Sequence, residues 1–258
     1  MGFVNLSLVT YVLKASLRDK LVISVFAVFL AAISLSVFLS SAAVIETGQA
    51  VLTFTASSCR LIGVIALTLF TVFYVRRCFD THDVEYLLSR PISRVSFVLS
   101  HLLGLAVLCA GFAIIACGAV YIVSAGQLNY PGFFQWGVSF LLEIMIIVYA
   151  SFFFSMILSS AVSGTLATFA GYILARMSGQ VLGIIDSGAH GGDRIGILEG
   201  MMQGSSVIVP RFDLYTQSAW LIYGTDDTVG LWYILMSGLA FLLLVTCAAI
   251  WDLLGRNF

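Results

Sequence analysis

Polar residues in this chain are confined to short intervals, and between them run apolar stretches of more than 20 residues. Six stand out, at about Leu21–Val44, Ala50–Val75, Phe97–Ser124, Phe133–Leu158, Ser163–Ile185 and Leu231–Leu254. About 20 consecutive apolar residues cross a bilayer as a helix. In lipid, backbone groups must be paired within the segment or around a closed barrel, and these runs lack the alternation of barrel strands. The pattern predicts an all-α membrane protein with six transmembrane helices. Ahead of the first span, Leu6, Val9, Leu13 and Leu17 recur at steps of three and four, with Ser7, Tyr11, Lys14 and Arg18 on another face. That spacing predicts an amphipathic helix within 1–20 lying in the membrane interface, its cations near anionic headgroups. Arg18-Asp19-Lys20 makes a polar break before the transmembrane domain at 21–258; the alternative is a plain upstream extension of span one.

Composition agrees. Of 258 residues 60% are hydrophobic and 10% charged, with mean hydropathy +1.07. A soluble domain carries about 25% charged residues to clothe its core. A net charge of −1 supplies no basic field for nucleic acid. The five cysteines form no CxxC pair and lie in or beside apolar runs, where cysteine acts as a small hydrophobe; a structural disulfide is not expected. No cleavable signal peptide is expected either, because the first apolar run is too long and lacks a small-residue cleavage site.

Orientation follows from Lys and Arg in the connections. Lys14, Arg18, Lys20, Arg76, Arg77, Arg90, Arg94 and Arg256 fall on one side, and Arg60, Arg194 and Arg211 on the other, eight against three. This predicts a multi-pass protein of the cytoplasmic (bacterial inner) membrane with both termini cytoplasmic. Acidic residues such as Glu46, Asp186, Asp193 and Glu199 collect on the opposite face.

The densest charge lies between spans two and three, from Arg76 to Arg94. Asp80 or Thr81 offers a cap, Asp83 and Glu85 suit the first turns of a helix, and Val84, Leu87 and Leu88 supply an apolar stripe. Pro91 ends that helix, and Ser93 can cap span three. A short cytoplasmic helix at about 80–90, held at both ends by spans, would transmit the push of a docked partner. The alternative is a solvated loop whose arginines only set topology.

The stretch Asp83-Val84-Glu85-Tyr86-Leu87-Leu88-Ser89-Arg90-Pro91-Ile92-Ser93-Arg94 resembles the coupling-helix segment of the permease subunits of ABC-2-type transporters. It stands between the second and third of six spans, as in that family, and Val209-Pro210-Arg211-Phe212-Asp213 is similar to a second family stretch. Asp80-Thr81-His82-Asp83 departs from the family's usual Glu followed by Gly-Thr. The resemblance implies a transmembrane subunit pairing with a second copy or a paralogue and with two cytoplasmic ATPase subunits. It implies that Asp83, Glu85, Tyr86 and Arg90 meet the ATPase, and that Pro91 and Arg94 fix the turn into span three. A Walker A loop needs Gly-Lys-Ser/Thr, whereas the only lysines here are Lys14 after Leu13 and Lys20 after Asp19. The chain is therefore expected to be no enzyme and to hold no cofactor, with ATP and Mg bound by the partner.

Two charges are read inside spans, Glu143 in the fourth and Arg176 in the fifth. Ten residues in from Phe133 and nine in from Ile185, at about 1.5 Å per residue, they lie roughly 15 Å and 13–14 Å from the outer boundary. A charge in lipid costs several kcal/mol, so the two are expected to pair. The pair either pins two helices or lines a substrate path or subunit seam. Gly104, Gly111 and Gly118, and Gly164 and Gly171, recur at sevens, a spacing for close helix packing. Tyr130, Phe133, Trp136, Trp232 and Trp251 are read as interface anchors.

The long outward connection at about 186–230 is too apolar for a disordered loop and predicts one or two short helices dipping into the outer leaflet. It either closes the outer end of a path or docks an extracytoplasmic partner. Ala161-Val162-Ser163-Gly164 is similar to the serine segment of rhomboid-type proteases, but no histidine lies in the last span to act as base. Cys78 and His82 are two ligands, too few for a zinc site. The leading expectation is the permease half of an ATP-driven exporter; the alternative is a stand-alone secondary carrier or a non-transporting scaffold. A carrier calls for broken spans at matched positions, and no proline falls inside any span.

Overall fold

The computed structural model describes residues 5–42, 47–81, 93–124, 126, 128–188, 211–225 and 230–255. Among them the regular elements are all helices: α1 (Leu6–Arg18), α2 (Lys20–Ala42), α3 (Thr47–Asp80), α4 (Arg94–Val123), α5 (Tyr130–Ile157), α6 (Ala161–Gly188), α7 (Phe212–Tyr215), α8 (Trp220–Tyr223) and α9 (Leu231–Gly255). Four, over Gly48–Asp80, Arg94–Val123, Tyr130–Ile157 and Leu231–Gly255, are long and apolar enough to cross a membrane. Among the described residues the protein is thus all-helical, with four candidate membrane-spanning helices.

Asn5 caps α1 by accepting from Ser7 N–H, and the helix stops at Asp19, which turns extended and donates its N–H to Ser16 O. The polar break is therefore a single residue long. The packing face differs from the expected stripe. Leu8, Val9, Val12 and Ser16 are buried, whereas Leu6 and Leu17 are 77% and 73% exposed. The buried side lies along α4, where a Cβ on Gly104 would come within 2.9 Å of Val12 Cβ. Absence of a side chain there lets the two helices close. The other repeated glycines differ: a Cβ on Gly111, Gly118 or Gly171 would meet open space, and one on Gly164 ordinary contacts with Ser155 and Val72.

α5 is the axis of the bundle, touching α3, α4, α6, α7, α8 and α9. Its buried serines satisfy themselves within the helix. Ser139 donates to Trp136 O at 2.8 Å, Ser151 to Ile147 O at 2.7 Å and Ser155 to Ser151 O at 2.6 Å. Returning a hydroxyl proton to the preceding turn removes the need for water in an apolar setting.

At one end of the bundle α3 continues past Val75 to Asp80. Arg76 pairs with Asp80 along the helix, and Thr81 returns both its N–H and its hydroxyl to Arg77 O. Asp80 is thus the last residue of α3, and the helix that Asp80 or Thr81 was expected to cap lies outside the described residues. Ser93 does cap α4, accepting from Ser96 N–H at 3.1 Å. At the opposite end α7 and α8 fold back onto the start of α5, burying Phe212, Tyr215, Trp220 and Leu221. The fit there is close. A Cβ on Gly132 would lie 1.8 Å from Trp220 O, and Asn129 N–H donates to Leu221 O at 3.2 Å. Gly224 closes the turn at φ +88°, a conformation that glycine adopts without steric cost.

Candidate functional site

A charged network crosses the interior between α3, α5 and α6. Arg60 of α3 is buried and donates through Nη1 to Glu143 Oε2 of α5, itself fully buried. Its Nη2 donates to Ser139 Oγ, one turn before Glu143, at 3.0 Å. The guanidinium lies 5.2 Å from the centre of the Trp136 ring and 5.6 Å from that of Phe140. These rings exclude water and present their negative faces to the cation. On the other side, Tyr172 of α6 donates its hydroxyl to Glu143 Oε1 at 3.0 Å and accepts from Arg176 Nη1 at 2.7 Å. Arg176 Nη1 itself is 3.9 Å from Glu143 Oε1, and its side chain is 47% exposed. Two cations thus share one carboxylate, and only the outer cation reaches the surface.

This arrangement modifies the expected pair. Glu143 and Arg176 do come together, but through Tyr172, and the enclosed partner of Glu143 is Arg60. Arg60 belongs inside α3 and not with the cations of a connection. A signal for it was present. Arg60 lies ten residues after Ala50, as Glu143 lies ten after Phe133. Those two expected spans run in the same direction, so both side chains fall at about 15 Å depth. Tyr172, one turn before Arg176, had no comparable signal, since a tyrosine in an apolar helix reads as an ordinary aromatic.

At the end of the bundle where α3 stops, arginines bind backbone. Arg76 Nη1 donates to Leu158 O, at the end of α5, at 3.1 Å. Arg94 Nη1 donates to Leu253 O and Leu254 O, in the last turn of α9, at 3.1 and 3.3 Å. Helix C-termini leave carbonyls without intrahelical partners and carry partial negative charge, so a guanidinium suits both needs. Asp83, Glu85, Tyr86, Arg90 and Pro91 lie outside the described residues, as does most of the expected helix at 80–90. Of the predicted coupling residues only Arg94 is described, and it reaches across to α9.

Of the outward connection expected at about 186–230, residues 186–188 belong to α6, and 211–225 and 230 are also described. Arg211 pairs with Asp213 at 2.9 Å, and hydrogen bonding to that carboxylate raises its pKa above the usual arginine value. Tyr215 donates to Ile234 O at 3.0 Å, and burial pushes its phenol up. The expected patch from Ile195 to Met202 lies outside the described residues. All five cysteines are free thiols, and no group of three His, Cys, Asp or Glu side chains that could hold a metal occurs among the described residues.

No protein-family model matches the chain, and no curated protein matches it in sequence.

Proposed function

We propose that this chain is the transmembrane permease subunit of an ATP-driven transporter of the ABC-2 type, working as an exporter. In this reading α2 and α6, of 23 and 28 residues, cross the membrane with the four longer or more apolar candidates, making six spans. At about 1.5 Å per residue, 23 residues reach roughly 34 Å, enough for the hydrocarbon core. α1 lies in the interface, and both termini face the cytoplasm. Moving Arg60 into the bilayer sharpens the charge asymmetry to eight cations against two, Arg194 and Arg211.

The observation that carries this reading is the fastening around 82–92, the segment bearing most of the ABC-2 resemblance. Arg76 ties α3 to the end of α5 just before it, and Arg94 ties α4 to the end of α9 just after it. A force on the segment would thus reach four helices rather than two. The unbroken course of α3, α4, α5 and α9 fits a rocking permease better than a carrier built on interrupted helices. A second copy or a paralogue would complete the path, and Arg176, the half-exposed member of the charged network, would face that seam. ATP and Mg would be bound by the partner ATPase.

The test is copurification of the full chain with an ATPase subunit, followed by hydrolysis measurements in liposomes. Hydrolysis stimulated by substrate supports the permease. A chain that moves solute or assembles without such a partner would instead be a secondary carrier or a scaffold.

A further inference from the structure

α1, α2 and α3, joined at the first by α4, line two adjoining hollows of opposite character. The first is a slot of about 290 Å³ whose walls are almost wholly apolar, among them Leu13, Val25, Leu67, Phe70 and Phe112. It has roughly twice the volume of the about 150 Å³ engineered cavity that stays dry and takes up benzene. The second is a recess of about 1320 Å³ lined by neighbouring residues of α1, α2 and α3: Lys14 follows Leu13, Ser24 precedes Val25, and Phe73 lies one turn past Phe70. Five cations, Lys14, Arg18, Lys20, Arg76 and Arg77, line it against two carboxylates, Asp19 and Asp80. Asp80 is already engaged by Arg76. The recess therefore carries a positive excess.

An apolar slot that opens beside a cationic recess matches an amphiphile with an anionic head. We propose that α1, α2, α3 and α4 form a binding site for an anionic phospholipid of the surrounding membrane, with an acyl chain in the slot and the phosphate in the recess. The charge excess selects against a zwitterionic head, and the slot selects against a phosphate without a chain. Bound there, the lipid would cement α1 and α2 to α3. This site is independent of the transporter reading, since no ATPase or substrate enters it.

The probes are dioleoyl phosphatidylglycerol, dioleoyl phosphatidylcholine and glycerol phosphate, added to the detergent-purified full chain and read by native mass spectrometry. Phosphatidylglycerol should be retained over phosphatidylcholine, and glycerol phosphate should not displace it. The triple variant Lys14→Gln, Arg18→Gln, Arg77→Gln should weaken phosphatidylglycerol on the order of a hundredfold, since each cation near an anionic surface counts for about fivefold. Gly111→Leu should reduce retention of the same lipid by filling the slot, because a Cβ there meets no atom of the protein. Equal retention of the two lipids, or a triple variant that binds as the parent does, would overturn the site. Displacement by glycerol phosphate would also overturn it, leaving a plain phosphate site. The triple variant changes only exposed side chains and decides the matter even if Gly111→Leu fails to fold.

Discussion

Arginine does two different jobs in two regions of this molecule. In the interior Arg60 faces a carboxylate within a ring of aromatics, while near the end of α3 Arg76 and Arg94 face backbone carbonyls. Surroundings account for the contrast. Deep in an apolar medium a lone charge is too costly: removing Glu143 leaves Arg60 uncompensated, and removing Arg60 leaves Glu143 with only Tyr172 and the half-exposed Arg176. At a helix end, by contrast, a carbonyl freed of its arginine can turn to water. The interior network is therefore expected to be brittle and the fastenings at the helix ends adjustable, which suits a rigid column moved from its end.

The largest effect should come from breaking the interior pair on one side. Arg60→Met alone takes from the buried carboxylate its enclosed cation and should destabilise the protein by about 3–5 kcal/mol, read as loss of folded yield or a lowered thermal midpoint in detergent. The double variant Arg60→Met, Glu143→Leu removes both charges and should recover most of that loss. A double variant as unstable as the single one would show that Arg60 matters through its packing on Trp136 and Phe140. Next comes Tyr172→Phe, which takes one donor from Glu143 and should cost about 1–3 kcal/mol by the same thermal measurement.

Arg94→Gln should cost about 1–2 kcal/mol, because the α9 carbonyls lose a charged donor yet stay near solvent. An effect as large as that of Arg60→Met would erase the distinction between the two regions. Smallest of all, Arg176→Met should move stability by less than about 1 kcal/mol, since the side chain is half exposed and meets Glu143 chiefly through Tyr172. Assembly should survive that change while transport falls, the outcome expected of a group on a path or seam. Lost assembly would make it a pin.

The bundle was legible in the chain to the extent that lipid and protein differ from water. Apolar runs marked the long helices, and local polar chemistry marked the break at Asp19 and the cap at Ser93. Faces were harder. In a bilayer a leucine is content against either a neighbouring helix or an acyl chain, so periodicity does not say which side packs. This explains why Leu6 and Leu17 turn outward on α1 while Leu8 and Val12 pack inward. It also explains why, of three glycines at sevens on α4, only Gly104 meets a neighbour. The end of α3 was misplaced because hydropathy falls at Arg76, whereas the Arg76–Asp80 pair carries the helix on. Arg60 was missed as a partner of Glu143 because it was counted with the cations of the connections although it lies ten residues into the expected second span.

The most direct measurement is ATP hydrolysis by this chain reconstituted with the ATPase subunit proposed as its partner, comparing the parent with Glu85→Ala, Arg90→Ala. Loss of substrate-stimulated hydrolysis by tenfold or so, with the complex still assembled in the membrane, is the predicted result. Stimulation equal to the parent's would contradict the role given to residues 80–90 and, with it, the permease assignment.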